Sequence, residues 1–498
     1  MHPTLVFADR TWSPAAMAEL ADRISAGLRA LGVGEGDTAA VMLRNGPAYV
    51  ATTIACRRAG VYLVSINWHF KAAEAGFLLA DSGARVLLLH EDLQAQIAGG
   101  VPEGVALQAV PADEAHGDAW ASAFAQGQAP LPPATAVAFN TVVYTSGTTG
   151  RPKGVRRLPV PSERRAALDA ASQQVGRTVY GVTAASRALL SAPMYHSATM
   201  SFVLSCCGAG ATLVLEPGFS AERTLALIER HRVTHAYLVP TMYQRLLALP
   251  DAERSRHDLS SLQQVSSTGS PCAPELKRRM IAWFGPVITE AYGSSEAGYT
   301  TFIDSAGWLQ RPGSAGRALG DAQVRILDAE GQPVPTGQMG LIYVRQPAMP
   351  DFSYIGRDDA RAAIDQGGLV TLGDMGYLDA DGYLFICDRQ SDMVISGGVN
   401  IYPAEIEAEL LTMPGVADAA VFGIPDAEFG EGLAAAVQLR PGAAVDASAV
   451  QAWLRERLAN YKVPRTIAFH DSLPREDTGK IFKRRLRAPY WEGVARRI

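Results

Sequence analysis

At 498 residues the chain exceeds one ordinary hydrophobic core, so two or more domains are expected. Hydrophobic residues at 48% and charged residues at 19% exclude a disordered chain, and a net charge of −5 leaves no basic footprint for nucleic acid. The five cysteines (Cys56, Cys206, Cys207, Cys272 and Cys387) have no zinc-like spacing and read as reduced thiols.

The N-terminal MHPTLVFADRTWS carries Asp9 and Arg10 without a long apolar core, so it does not read as a signal peptide. Thr11 to Leu31 is predicted as a helix opened by Ser13 and Pro14, with Leu20, Ile24 and Leu28 on one face. Ala39 to Leu43, Arg85 to Leu89 and Val137 to Tyr144 are strand candidates. Ser197 to Leu215 lacks charges, but Ser201, Ser205, Gly208, Gly210 and Thr212 mark it as buried helix, turn and strand, not a membrane span. Helix Ala221 to His231, strand His235 to Pro240, helix Met242 to Leu249, strand QQVSS, helix Pro274 to Phe284 and strand VITEAYG follow. This βαβα order predicts an α/β fold of mostly parallel sheets flanked by helices, with sites at the carboxyl ends of strands. From about Gly313 to Gln390, short β runs separated by turns predict a small β-barrel-like subdomain. Residues 391–498 carry helix Pro403 to Leu411, strands VADAAVFGI and AAAVQLR, and helix Ala447 to Leu458, which predict a small α+β domain after an N-terminal domain of residues 1–390.

Tyr144 to Val155 reads YTSGTTGRPKGV. Glycines let backbone N–H groups turn toward an anion, hydroxyls add donors, and Lys153 adds a point charge, so the stretch suits a polyphosphate better than it suits a flexible linker. It is not the common P-loop, because Lys153 lies between Pro152 and Gly154 and no Mg²⁺-binding hydroxyl follows. Four further segments carry chemistry: APMYHSA (192–198), STGSPCAPEL (267–276), EAYGSSEAG (290–298) and TLGDMGYLDADGYLFICDR (371–389). Read alone, His196 is equally a core histidine, Gly269–Pro271 a strand–helix turn and Asp374 a turn residue. DMVISGGVNIYPAEIE (392–407) and LPREDTGKIFKRRLR (473–487) complete the set.

In this order the segments resemble the adenylate-forming superfamily of acyl-CoA and aryl-CoA synthetases, peptide-synthetase adenylation domains and luciferases. The resemblance spans roughly Val137 to Lys480. It implies ATP, Mg²⁺ and coenzyme A as cofactors. Thr145, Ser146, Gly147, Thr148, Thr149 and Lys153 would meet the phosphates, Gly269, Ser270, Pro271 and Tyr292 with Gly293 the adenine, and Ser295 a phosphate. Thr145 and Glu296 would hold Mg²⁺, and Asp374 and Arg389 the ribose. His196 would border the acid pocket and Lys480 would complete the adenylation site; with Glu296 and Thr145 these are the catalytic candidates. Gly397 and Gly398 would flank the pantetheine arm, Phe429 and Tyr461 would meet the CoA adenine, and Ser391 would be the hinge of a mobile C-terminal domain. Lys483, Arg484, Arg485 and Arg487 read as a solvated face or as contacts for CoA phosphates.

The implied activity is an ATP-dependent acyl-CoA synthetase acting on a small-molecule carboxylic acid. Met200, Val239, Thr241, Met242, Gly298, Tyr299 and Thr300 give the pocket no charged handle, which suits an apolar medium- or long-chain fatty acid or a bulky alicyclic one. MYHSATM has no aspartate for a substrate ammonium, which speaks against an amino acid. An aryl acid of the benzoate or cinnamate type stays open. An acyl-AMP ligase loading a carrier protein ranks lower, since no carrier domain follows Ile498 in this sequence, and a non-catalytic nucleotide-binding protein is opposed by Lys480, Glu296 and Asp374. The expected setting is cytoplasmic, without an integral membrane span or nucleic-acid partner, and a homodimer stays open.

Overall fold

The computed structural model describes residues 2–114, 118–136, 140–145, 152–270, 272–397, 399–475 and 481–492. Ser146 to Thr149, Pro271, Gly398 and Lys480 lie outside them.

Two large sheets carry the N-terminal part. In the seven-stranded sheet, Thr141–Thr145, Tyr62–Ser65, Thr38–Met42, Ala84–His90 and Ala106–Val110 run parallel, and Lys153–Arg157 and Phe352–Tyr354 extend it antiparallel. Its central strands Thr38–Met42, Tyr62–Ser65 and Ala84–His90 are mostly apolar because both faces are covered. Ala39, Val41, Val86 and Leu88 enter one core, while Ala40, Met42, Leu87 and Leu89 enter another on the opposite face. This is the two-residue period of a strand buried on both sides.

In the fourteen-stranded sheet, Thr4–Phe7, Thr212–Leu215, Arg187–Leu190, His235–Tyr237, Gln264–Ser267 and Ile288–Ser294 are parallel. The chain then turns antiparallel through Gly298–Ile303 into Ser314–Ala318, Leu384–Arg389, Leu369–Leu378, Gly340–Arg345 and Gln323–Leu327. The expected β-rich unit is therefore continuous with the large sheet. A five-stranded sheet beyond residue 390 centres on Val416–Asp426 and Gly430–Leu439, with helices Pro403–Thr412 and Ala447–Arg455 covering its apolar face.

Helices Ala221–His231 and Pro274–Phe284 begin and end where their caps predict. Helix Pro14–Ala30 is capped by Ser13, whose Oγ accepts from Ala16 N at 3.2 Å, and it buries Leu20, Ile24 and Leu28. The expected start at Thr11 is corrected. Arg10–Trp12 is a strand paired with Thr4–Phe7, which buries Trp12. The strand expected to reach Pro240 ends at Tyr237, because Pro240 opens the next helix at its first position. Ser197–Ala209 is a helix and Thr212–Leu215 a strand, as the glycines and hydroxyls implied. Among the described residues, no helix is long and apolar enough to cross a membrane.

Candidate active site

Two hairpins meet at the site. In the first, strands Thr141–Thr145 and Lys153–Arg157 pair antiparallel, with Thr145 directly opposite Lys153. In the second, Ile288–Ser294 and Gly298–Ile303 pair antiparallel, with a bulge after Tyr292, and Ser295 to Ala297 form the turn. Gly293 is required there: a Cβ would sit 2.2 Å from Gly298 O. Ser294 Oγ accepts from Ala297 N at 2.9 Å and fixes the turn.

Glu296 is carried at this tip and is 6% exposed. Its Oε1 accepts from Thr145 Oγ1 at 3.4 Å and from Tyr354 OH at 3.1 Å. Among the described residues Oε2 takes no hydrogen bond. A carboxylate and a hydroxyl give an oxygen-only donor pair, which suits Mg²⁺ when phosphate oxygens supply further ligands. The described residues hold no group of three or more His, Cys, Asp or Glu side chains able to bind a metal alone. The donor set thus fits a metal that arrives with a phosphate.

Tyr354 is a residue that sequence reading missed. It reaches the site because Phe352–Tyr354 pairs with Lys153–Arg157, aligning Tyr354 with Val155. Lys153 Nζ lies 5.1 Å from the Tyr354 ring centroid. Arg157, also missed, is 6% exposed and donates to Ser295 O at 2.6 Å and Pro350 O at 3.0 Å. Burial pulls its pKa down to about 10, against Glu296 and Asp351, so it stays cationic at neutral pH behind the Glu296 turn. The only sequence signal was a pair of arginines after Val155.

Tyr292 OH donates to Asp374 Oδ2 at 2.7 Å, and Arg389 Nε donates to Asp374 Oδ1 at 3.2 Å. Asp374 and Arg389 are cross-strand partners, which explains their meeting. Burial first, and Asp374 second, hold the Tyr292 hydroxyl well above its ordinary range. Burial works against the Arg389 charge, but Asp374 and Asp392 outweigh it. Gly269 has φ +89° and follows a strand whose Ser267 pairs with Glu290, two residues before Tyr292.

His196 caps helix Ser197–Ala209, and its carbonyl accepts from Met200 N at 3.0 Å. Ser295 Oγ donates to Ser197 Oγ at 2.9 Å, which joins the His196 segment to the Glu296 turn. The buried Asn45 holds the same segment from the other sheet. Its Nδ2 donates to Ala192 O and Glu216 O, both at 2.9 Å, and its Oδ1 accepts from Met194 N at 2.8 Å. Thr300, read as a pocket residue, is fully buried, with its hydroxyl on Tyr292 O at 3.3 Å.

Beyond residue 390, Gly397 N donates to Phe429 O at 2.9 Å, and a Cβ on Gly397 would lie 3.0 Å from the Phe429 ring. Arg465 stands 5.4 Å from that ring and Tyr461 is 55% exposed. The Ser391 carbonyl accepts from Arg487 Nη1 at 3.3 Å. Lys483 and Arg487 are corrected from a solvated face: both are half-buried, and Lys483 Nζ pairs with Glu407 at 2.7 Å. Burial opposes the Lys483 charge, but Glu407 and Asp388 outweigh it and hold it above its ordinary range.

The fold is that of an adenylate-forming enzyme, with a large α/β part and a small α+β part. The profile of AMP-binding enzymes matches residues 1–350 and that of the AMP-binding enzyme C-terminal domain matches residues 405–480, so the chain belongs to the AMP-binding enzyme family. It is 37% identical to a feruloyl-CoA synthase of Amycolatopsis sp over 93% of this chain and 91% of that protein. It is 35% identical to an indoleacetate–CoA ligase of Aromatoleum aromaticum over 96% and 93%. ATP-bound MatB from Rhodopseudomonas palustris superposes with a TM-score of 0.88 at 28% identity, covering 99% of this chain and 97% of that one. The protein is an AMP-forming acid–CoA ligase, a class that uses ATP, Mg²⁺ and CoA. These relatives differ in their acid, so the match fixes the reaction class and not the acid.

Proposed function

We propose that the chain activates a compact, ring-bearing carboxylic acid as its acyl-adenylate and transfers the acyl group to CoA. The observation that carries the reading is Glu296, bracketed by Thr145 and Tyr354 on one hairpin tip and joined through the same hairpin to Tyr292 and Asp374. For the acid, Tyr180, Phe202, Tyr237 and Tyr299 pack ring against ring between the His196 helix and the Glu296 hairpin, which favours a short, flat body over a long chain. The names of the two relatives, a feruloyl-CoA synthase and an indoleacetate–CoA ligase, point the same way.

In this reading Asp374 accepts from the ribose hydroxyls while Tyr292 and Arg389 hold its carboxylate still. The face of Tyr292 receives adenine beside Gly269, Ser270 and Pro271. The residues from Thr145 to Lys153 cradle the β- and γ-phosphates. A carboxylate oxygen of the acid attacks the α-phosphorus; the new O–P bond forms as the bond to pyrophosphate breaks. Lys480 and Lys153 stabilise the charge developing on these oxygens. Glu296 and Thr145 would hold Mg²⁺, which when bound neutralises charge on the departing pyrophosphate. The CoA thiol then loses its proton and attacks the acyl carbon, forming the C–S bond as AMP leaves. Residues up to 390 would form the nucleotide half, and those from 391 a half that turns about Ser391 to bring Gly397, Gly398, Phe429 and Tyr461 to the tunnel. Because the reaction draws on ATP and CoA, a cytoplasmic setting belongs to the same proposal.

The test is acid-dependent ATP–pyrophosphate exchange over benzoates, phenylacetates, cinnamates and fatty acids, followed by thioester formation with CoA. Ring acids are expected to turn over best. Exchange with none of these acids, or with fatty acids alone, would overturn the reading.

A further inference from the structure

The last two residues of strand Leu384–Arg389 face different neighbours. Asp388 stands opposite Met375 and Arg389 opposite Asp374, and successive residues of a strand point to opposite faces. Arg389 Nε donates to Asp374 Oδ1, while Asp388 turns to helix Pro403–Thr412 of the five-stranded unit. That helix has Pro403 in its first turn, and Tyr402 at its N-cap makes no side-chain hydrogen bond. Its cap comes from outside instead: Asp388 Oδ2 accepts from Ala404 N at 2.9 Å. A carboxylate suits both the free N–H groups and the positive end of a helix. Asp388 belongs to the fourteen-stranded sheet and Ala404 to the unit beyond residue 390, so this one bond spans the linker around Ser391.

The linker itself is folded against both sides. Asp392 N and Met393 N donate to Arg389 O at 2.9 and 3.0 Å, and Arg487 Nη1 donates to Ser391 O at 3.3 Å. Lys483 Nζ pairs with Glu407 Oε1, on the capped helix, at 2.7 Å, and the same oxygen accepts from Val421 N at 2.6 Å. Burial pushes the Asp388 carboxyl above its ordinary range, and the Lys483 charge offsets only part of that. Among the described residues no cation pairs with Asp388 directly, since Lys483 is taken by Glu407 and Arg389 by Asp374. Asp388 is thus a desolvated carboxylate joined to the helix by a single N–H. Such a bond is strong enough to set an orientation and weak enough to be given up. In the reaction, pyrophosphate leaves and a thiol arrives at neighbouring atoms, so groups gathered on the triphosphate must make way for CoA.

We propose that Asp388 is a positioning residue for the ligase reaction. Its bond to Ala404 N ties the unit beyond residue 390 to the strand whose next residue holds Asp374. The tie serves one of the two half-reactions and is released in the other. This inference rests on the turning of that unit about Ser391 in the reading above.

The experiment measures two rates in the full chain, with the acid of the exchange panel that turns over fastest: acid-dependent ATP–pyrophosphate exchange, and thioester formation from the supplied acyl-adenylate. Asp388→Ala removes the tie. The half-reaction that uses it is expected to fall about tenfold, the size of one hydrogen bond to a charged group, while the other is kept. Asp388→Asn retains an oxygen that accepts from Ala404 N and should restore most of the loss. Equal loss in both rates, or no loss in either, overturns the assignment while the ligase reading stands. A raised KM for ATP with both rates recovered at saturation would make Asp388 a support for Arg389 alone, and overturns it too. Amide hydrogen exchange supplies an arm that needs neither a variant nor an acid. In the unaltered protein the Ala404 N–H should differ in protection between the form with ATP and Mg²⁺ and the form with AMP and CoA. Equal protection in the two forms overturns the tie, and this arm decides if Asp388→Ala does not fold. Absence of pyrophosphate exchange with every acid of the panel would overturn the acid reading and leave the same arm to decide the tie.

Discussion

The hydroxyl of Tyr354 donates to Glu296 while its ring faces Lys153, so one side chain sets the spacing between a carboxylate and a cation that would meet the same triphosphate. Neither neighbour could be dropped without moving the other. Tyr354→Phe keeps the ring and removes the donor. We expect it to raise the Mg²⁺ concentration needed for half-maximal pyrophosphate release and to lower the rate by about tenfold, in line with the loss of one hydrogen bond to a charged group. A Mg²⁺ titration of acid-dependent pyrophosphate release checks this. An unchanged titration would separate Tyr354 from the metal site.

At the scale of elements, Asn45 links the two large sheets. It leaves the end of strand Thr38–Met42 and satisfies two carbonyls and one N–H around the segment that leads to His196. Asn45→Ala would leave those three buried groups unpaired at about 1–3 kcal/mol each, and the segment would shift. The expected result is a KM for the acid raised about tenfold with the KM for ATP little changed, since misplacement of a positioning element acts on its own substrate. A uniform loss in both constants would mean that the asparagine serves stability alone. The sequence made the helices legible because Ser13, Ser220 and the prolines at 14 and 274 are local signals. Glu296, Tyr292 and Asp374 were singled out by the family resemblance of their segments, and the structure sets Tyr292 against Asp374 with Glu296 on the same hairpin. Tyr354 and Arg157 were not: Phe352–Tyr354 is a three-residue strand whose partner lies nearly two hundred positions earlier, and no periodicity encodes such a pairing. Asn45 was hidden for the same reason, since its partners come from another sheet.

Across the whole molecule, burial holds a set of tyrosines protonated. Tyr49, Tyr180, Tyr237, Tyr243, Tyr292 and Tyr299 all lie above the ordinary value of 10.0, with burial as the first cause in each. Above that value the unfolded chain releases protons that the folded one keeps. Native stability is therefore fully present below pH 10 and falls as pH rises beyond it. Denaturant unfolding at pH 8, 9.5 and 10.5 should show a stable plateau followed by a decline; stability that stays level through pH 10.5 would contradict it. The proposed division near residue 390 makes a second expectation. Lys480→Ala should abolish acid-dependent pyrophosphate release yet still form thioester from a supplied acyl-adenylate, and parallel loss of both activities would argue against two working arrangements of one chain.

The pairing of Phe352–Tyr354 with Lys153–Arg157 has a bearing on how this polypeptide can be cut and recombined. The stretch after Gly313 looks like an appended module, yet it sends a strand back to finish the border of the first sheet and delivers the phenol that touches Glu296. A truncation that ended the chain before Phe352 would expose an unfinished sheet margin and strip a carboxylate of its neighbour. Exchanging that stretch between homologous ligases would succeed only when the border strand travels together with the hairpin it completes.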